Sequence, residues 1–562
     1  MKTSSPFKSA RASSKRGAAS EAVAPKLPKR GAKGRSIYRQ QCPQLAELFA
    51  AAGQINKVAV VAMDYAKREH RVIIADGTGS LLEPAFSIRN SAEGVDYLCN
   101  KVAACMKRHH IKPGHVCYGG EDEPAWAANF LSSLQARGAL VLRVNAREAK
   151  DARDSHIAST DDIDVLGIAK CLLMRKARPI SAAVMQEDQA ARRVQALREL
   201  VRQRRRLVFN QTATQNQIHA LVDRLCPGFL DEAQSGLVKF GNASLALMSS
   251  RFSAQELSRR RTSTLARELR RSGMSQQRAE AKAEQIQSLA RSALPAAPAQ
   301  VPALQRSLES AVELLRSLSR VIDDLEAAMA DELSYLPAAV FTTLPGIGIV
   351  LAAALAAELG ANLHTTPFGS QCAYAGIVPR TAQSGGSQGQ PVQGAASRRC
   401  NRILKDYLVQ AASKQQQCGA PEFKDAFKEM KLAGQHAEFA IARRMLRTLR
   451  AMHRQQSIYL PAQLRHIIGK AERTSVEQAA LRAYYHQVHE KLCTKWQRGP
   501  DWQRFLGEDR VLGSLMRSQD SLQGLGLQWP QNTSARPPRD AQDKDFPREL
   551  SSDEDEELLK EE

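Results

Sequence analysis

Four carboxylates and one serine are the residues from which this chain could build chemistry on phosphorus. Asp64 closes the apolar run "KVAVVAMD", Glu121 closes "HVCYGGE", and Asp161 and Asp164 stand in "STDDID". A spacing of three on a helix puts the last two on one face, one turn apart. If Asp64 and Glu121 end neighbouring strands, acids from three elements surround one point. Carboxylates held that close raise each other's pKa values unless a cation neutralises them. Hard oxygen ligands of this kind suit Mg2+, with Mn2+ as a substitute, and such ions stabilise the attacking and leaving oxygens of a phosphodiester. The plain alternative for "STDDID" is a helix start, with Ser159 or Thr160 as the cap and the acids favouring the positive end of the helix. Asp162 points off the shared face and is assigned to that cap.

The serine lies in "GIVPRTAQSGGSQGQPVQG", residues 376 to 394, a Gly/Gln/Ser-rich loop between helical segments. Ser384 precedes Gly385, where a small neighbour lets a backbone phosphate approach closely. On composition Ser387 is an equal candidate, and a plain flexible loop is the bland reading. No His or Asp accompanies Ser384 in the nearby sequence, so a hydrolase triad has no support. Two flanking stretches are suited to hold phosphates. "LPGIG" places Pro345, Gly346 and Gly348 before a helix, in the form of a hairpin turn whose amides bind a backbone phosphate without reading bases. "SRRCNRILK" supplies Arg398, Arg399, Arg402 and Lys405 at a helix start. A serine hydroxyl between two such elements is a credible attacker of phosphorus.

The elements that must position these groups follow from periodicity. Residues 55 to 180 read as three strands, helix, strand, helix, strand, helix, which is the ribonuclease-H-like order, with the last helix running through "VLGIAKCLLMRKA". From 181 to 335 the chain is long-helical. Leu304, Leu308, Ala311, Leu315, Leu318, Ile322, Leu325 and Met329 form a coiled-coil seam, within the chain or between subunits, or one stripe of a plain bundle. The matching helix carries Val194, Leu197, Val201, Val208, Ile218, Leu221 and Leu225, interrupted by Arg204 and Gln211. A mostly helical region follows from 336 to 471, then a helical stretch from 472 to 525. The fold class expected is α/β plus α. A disordered basic arm is expected over 1 to 54 and a disordered acidic tail, "SSDEDEELLKEE", over 526 to 562.

With 80 Lys and Arg against 58 Asp and Glu, and a formal net charge of +22 over 562 residues, the chain calls for a polyanionic partner. Nucleic acid is the first choice and an anionic membrane surface the second. No apolar run approaches the ~20 residues of a membrane span, and the start lacks the apolar segment of a secretory signal, so a cytoplasmic, nucleoid-associated protein is expected. The ten cysteines show no C-x-x-C pairing, which fits a reducing compartment. His486, His489 and Cys493 share a helical face as three potential zinc ligands, with no fourth evident.

At these residues the sequence resembles the DEDD-motif insertion-sequence transposases, the bridge-RNA-guided serine recombinases. The resemblance covers roughly residues 57 to 225 and 336 to 415. It rests on Asp64 in "MDYAK", Glu121, the pair Asp161 and Asp164, then "LPGIG", "FGSQCAYAGIVPRTAQSG" and "CNRILK", all in order. It implies a RuvC-like domain whose four acids bind Mg2+ and a serine, Ser384 rather than Ser387, that attacks DNA covalently. It further implies a tetramer assembled from dimers, with acids and serine from different subunits, and a structured guide RNA pairing to donor and target DNA. This chain has "EDEP" where the family has a small residue, Thr and Gly, so Asp122 and Glu123 stand as competitors of Glu121. Cys400 occupies a place where glycine is common. Two other readings remain: a Mg2+-dependent RuvC-like junction endonuclease that uses water, and a noncatalytic nucleic-acid-binding scaffold whose acids are only caps.

Overall fold

The computed structural model describes residues 42–121, 125–153, 160–179, 189–361, 363, 366–382, 392–396, 400–432, 437–455, 458–468, 470 and 472–496. The chain divides into two compact units, one up to Gln186 and one from Glu187.

The first unit runs α1 (Pro43–Ala52), β1 (Ala59–Asp64), β2 (Glu69–Asp76), β3 (Leu81–Arg89), α2 (Ala92–His109), β4 (Val116–Glu121), α3 (Ala128–Ala136), β5 (Leu140–Val144), α4 (Ala146–Asp151), α5 (Asp161–Leu173) and β6 (Ala177–Pro179). The strands form one sheet in the order β3-β2-β1-β4-β5-β6, with β1–β4 and β4–β5 parallel and the other pairs antiparallel. A mixed sheet of this order fits a ribonuclease-H-like domain. Central strand β1 is apolar up to Asp64 at its end, in keeping with cover on both faces. Val61, Met63 and Tyr65 pack with Leu98 and Val102 of α2 and Phe130 of α3, while Val60 and Ala62 meet Leu45 of α1, Ala149 of α4 and Ile168 of α5.

Three local differences from the sequence reading have clear causes. The basic arm expected over 1 to 54 gives way to α1 at Pro43, where Pro sits in the first turn and Leu45, Leu48 and Phe49 are buried. Between β5 and the last helix, where the expected order has no element, α4 forms, capped by Asn145, whose side chain accepts from the amides of Arg147 and Glu148. The helix after "STDDID" stops at Leu173 rather than running on, because Arg175 turns left-handed at φ 57 and the chain returns as edge strand β6.

The second unit contains α6 (Gln189–Leu225), α7 (Glu232–Ser235), α8 (Asn242–Met248), α9 (Ala254–Arg259), α10 (Thr262–Arg271), α11 (Gln276–Ser292), α12 (Val301–Ser334), a 3-10 turn at Pro337–Thr343, α13 (Ile349–Leu359), α14 (Phe368–Tyr374), β7 (Pro379–Ala382), β8 (Val392–Ala396), α15 (Arg402–Cys418), α16 (Pro421–Leu432), α17 (Ala437–Gln455), α18 (Ala462–Ile468) and α19 (Ser475–Trp496). α6 and α12 pack antiparallel within the chain, as the pairs Arg193–Glu332, Arg204–Glu326 and Arg224–Gln300 show. The polar interruptions of the α6 stripe are answered on α12. Arg204 meets Glu326 at 2.6 Å, and Gln211 donates to the Ser319 hydroxyl at 3.0 Å. Matched polar pairs inside an apolar seam fix which turn faces which.

At one end of this pair α7 to α11 close a small core of their own with Ile218, Phe229, Phe252, Leu269 and Ile286. At the other end Val194, Val201, Met329 and Leu333 belong to one core with α13 to α19. The boundary expected at 335/336 therefore cuts through a continuous core. The boundary at 471/472 does the same, since Leu481, Val488, Leu492 and Trp496 of α19 are buried in it. Their spacing of seven, four and four puts these four on one side of α19, which the core uses as a wall.

Candidate active site

The sheet explains why Asp64 and Glu121 face the same way. Met63 pairs with Gly120 in the parallel β1–β4 ladder, so Asp64 and Glu121 are the next residues of adjacent strands. Along β1 the residues at 60, 62 and 64 form one series, and the first two meet α5. On β4 a Cβ at Gly119 would stand 2.6 Å from Leu172 of α5, which places that residue, and Glu121 two further on, on the same side. A Cβ at Gly120 would strike the Tyr65 ring at 2.3 Å. The pair of glycines before Glu121 thus lets a helix close on one face and a tyrosine on the other.

The turn that follows Asp64 is held by a buried histidine. Ala66 N donates to Nδ1 of His70, whose ring lies edge-on to Tyr65 and Phe130, and burial lowers its pKa. A neutral imidazole is the form that can accept that bond.

α5 brings the remaining acids. Thr160 caps it, with Oγ1 accepting from Ile163 N at 3.4 Å, and Asp161, Asp162 and Asp164 occupy its first turn. Asp161 and Asp164 both act on Asp64. Its carboxyl is pushed up to about 6, first by burial, then by Asp164 and by Asp161, against an opposing pull from Arg153. Glu121 is felt on α5 as well, among the smaller influences on the Cys171 thiol after burial has raised it to about 11.

Two arginines stand among these acids. α4 and α5 approach so closely that a Cβ at Gly167 would meet the Ala149 carbonyl at 2.4 Å. Just beyond α4, Arg153 reaches Asp164 at 2.9 Å with both side chains mostly covered. On the outer side Arg71 of β2 binds Asp162 at 2.6 Å and donates to the Ser87 hydroxyl. Asp162 is therefore paired across to the sheet, which corrects its assignment to the cap. Arg71, Ser87, Thr160, Asp161 and Asp162 line an open recess of ≈ 410 Å³.

Among the described residues no group of three or more His, Cys, Asp or Glu side chains is arranged to hold a metal ion. The donor chemistry nevertheless suits a hard cation: a half-buried carboxylate with a raised pKa, crowded by two more, with Asp164 answered by an arginine. Asp122, Glu123 and Ser159 lie outside the described residues.

In the second unit the "LPGIG" turn is built as expected, with support that the sequence reading missed. Gly346 takes φ +82, which favours glycine, and Gly348 is the uncapped N-cap of α13 with open space where a side chain would stand. Gln415 of α15 donates to the Pro345 carbonyl at 2.7 Å. Lys495 of α19 donates to the Ile347 carbonyl at 2.9 Å and also to that of Thr342; burial brings its pKa down to about 8.

The stretch around Ser384 is a strand pair rather than loop at its ends: Thr381 pairs with Gln393 and Ala382 with Val392. Ser384, Ser387, Arg398 and Arg399 lie outside the described residues. Just past them Asn401 caps α15 through Leu404 N at 3.1 Å, while its Nδ2 donates to Glu358 at 2.7 Å and to the Tyr374 hydroxyl at 2.8 Å. Glu358, with no side-chain exposure, also receives two bonds from Arg202 of α6 at 3.0 and 3.2 Å. Arg402 is exposed on the first turn of α15, and Lys405 lies over the Phe439 ring at 5.3 Å.

The family model for DEDD transposases of the IS110 type, described as "Transposase", matches residues 61–227. A second, described as "Transposase IS116/IS110/IS902 family", matches residues 338–428. The two matches support an IS110-type DEDD transposase. They imply a DNA substrate and an enzyme of DNA transposition. No curated protein matches the chain. No described helix is long and apolar enough to cross a membrane.

The matched segments contain Asp64, Glu121, Asp161 and Asp164 in one and Gly346, Gly348, Ser384, Arg398, Arg399, Arg402 and Lys405 in the other. Arg71, Arg153 and Glu358 also fall within them and are in none of the motifs, while Asn401 stands in "CNRILK" with no role assigned to it. "CN" before a helix is a capping signal that could have found Asn401. Nothing local marks Arg153 or Glu358, whose partners come from other elements. Lys495 falls outside both matches.

Proposed function

We propose that the chain is an RNA-guided DNA recombinase that moves its own insertion element, with Ser384 as nucleophile and Asp64, Glu121, Asp161 and Asp164 as the holders of Mg2+ or Mn2+. The observation that carries it is the crowding of Asp64, Asp161 and Asp164 at the end of β1 in a ribonuclease-H-like sheet, within a DEDD transposase match. The ion, when bound, supplies positive charge against the phosphate oxygens.

The chain's own groups do the rest. The Ser384 hydroxyl oxygen attacks phosphorus, one ester bond to a sugar oxygen breaks, and the serine proton passes to the departing oxygen. The resulting phosphoserine ester keeps the bond energy for rejoining to another end. The "LPGIG" amides and the basic start of α15 hold the backbone while this happens. A structured guide RNA selects donor and target DNA by pairing, and a tetramer made of two dimers presents four serines and four acid clusters.

The test is covalent trapping on DNA under denaturing conditions. The wild-type protein leaves a serine-linked adduct, and Ser384→Ala leaves none while keeping nucleic-acid binding. Recombination by the alanine protein would overturn the nucleophile, and cleavage without any adduct in the wild type would point to a water-using nuclease. Sequencing the RNA that copurifies with the protein tests guidance: a defined structured RNA encoded beside its gene supports it, and random cellular RNA defeats it.

A further inference from the structure

The small bundle at the far end of the α6–α12 pair carries a surface that neither family match reaches, since the matches end at 227 and resume at 338. Between residues 251 and 278 the chain has eight arginines, no lysine and only two acids, Glu256 and Glu268. Glu268 is already engaged by Arg260, which binds it at 3.0 Å. Along α10, Leu265, Ala266 and Leu269 turn inward, leaving Arg267, Arg270 and Arg271 exposed on the other side. Arg259 and Arg261 are exposed at the start of α10, and Arg278 is exposed just past the turn into α11. Each of these six is without a salt bridge or side-chain hydrogen bond among the described residues.

For the protein alone this arrangement is unfavourable. Like charges three and four apart, as Arg267 is to Arg270 and Arg271, repel each other on the helix surface. Arg261 stands at the N-cap of α10, the positive end, where a cation is misplaced and no side chain caps the free amides. A polyanion reverses the sign of all these terms at once. The core beneath, with Leu265, Leu269 and Ile286 fully buried, makes the surface a rigid platform.

We propose that this face, formed by α10 with the end of α9 and the first turn of α11, binds the phosphate backbone of duplex DNA. The only aromatic residue between 251 and 278 is Phe252, which is buried, so the surface offers no platform for stacking unpaired bases. Contacts from arginine to phosphate fix position without reading sequence. The choice of DNA over RNA rests on the recombinase reading; the surface itself does not. α6, with 37 residues, is about 55 Å long, the length of some ~16 base pairs of B-DNA. DNA cut within a chromosome continues as duplex over that distance, so a flank is available to the bundle.

The experiment uses the full-length protein and a duplex of about 40 base pairs of arbitrary sequence, with affinity measured across a salt series. Arg267→Gln/Arg270→Gln/Arg271→Gln is expected to weaken binding about tenfold or more at low salt, equally for unrelated sequences. The slope of log affinity against log salt should flatten by about 0.9 for each phosphate that the variant no longer neutralises. The corresponding triple lysine variant keeps the slope, which shows that charge and not folding is read. Unchanged affinity and slope in the glutamine variant would overturn the surface, and a loss confined to structured RNA would overturn the choice of DNA. Neither result depends on Ser384, so failure of the recombinase reading would appear separately, as absence of the covalent adduct.

Discussion

Two groups of buried or half-buried carboxylates in this molecule are treated in opposite ways. Glu358 is closed off from solvent and matched: Arg202 gives it two bonds, Asn401 a third, and the pair raises the Arg202 pKa chiefly through that hydrogen bonding. Asp64 is crowded instead, with Asp164 and Asp161 adding to the effect of burial and only Arg153 opposing them. A carboxylate whose partners the chain supplies is a structural joint, here tying α6, α13, α14 and α15 together. Carboxylates gathered with too few cations repel one another, and such crowding suits a ligand that brings positive charge.

The sharpest way to break this contrast is to remove a cation from the matched group. Arg202→Met leaves Glu358 buried with Asn401 as its remaining partner. Breaking a buried pair costs about 3–5 kcal/mol, and because Arg202 is partly exposed a loss of about 2–3 kcal/mol is expected in denaturant unfolding. An unchanged unfolding midpoint would show that Glu358 is not the joint it is taken for.

In the crowded group the sign reverses. With divalent ions chelated, Asp64→Asn relieves the repulsion and stabilises the protein, by on the order of 1 kcal/mol once solvent screening of a half-exposed group is allowed for. The pH dependence follows from the direction of the shift. The folded carboxyl, pushed up to about 6 from 3.8, keeps a proton that the unfolded chain has already released. Stability of the wild-type protein therefore falls as pH rises from about 4 to about 6, and the asparagine variant lacks that component. A wild-type slope equal to that of the variant would remove the crowding on which the site rests.

How much of this is legible in the sequence divides along the same line. The succession of strands and helices up to α5, the shared face of Asp161 and Asp164 and the glycine turn at "LPGIG" follow from local pattern, because a period of two or three and a turn glycine are written in neighbouring residues. The partners are not. Arg153 reaches Asp164 because α4 packs against Gly167, and Arg202 meets Glu358 across 156 residues of chain. α19 reads as an extension because its sequence carries no motif and little amphipathic contrast, yet Trp496 and Leu492 are in the core. Long-range pairs of ordinary residues leave no periodic signal.

The smallest effect tests the finest distinction, that the acids of "STDDID" differ in what they face. Asp162 lies beside Asp161 in sequence, but it binds Arg71 on the sheet with more than half of its side chain exposed. Exposed pairs contribute about 0–1 kcal/mol, so Asp162→Asn should cost about 0.5 kcal/mol or less, with the loss shrinking as salt is raised. It should also leave the fall in stability between about pH 4 and about pH 6 intact, because Asp162 is not among the charges acting on Asp64. Asp164→Asn should instead reduce that fall, although it also gives up the Arg153 pair. If Asp162→Asn flattens the pH profile as much as Asp164→Asn does, the acids act as one diffuse negative surface. The separation into a crowded trio and an outward pair with Arg71 would then be lost.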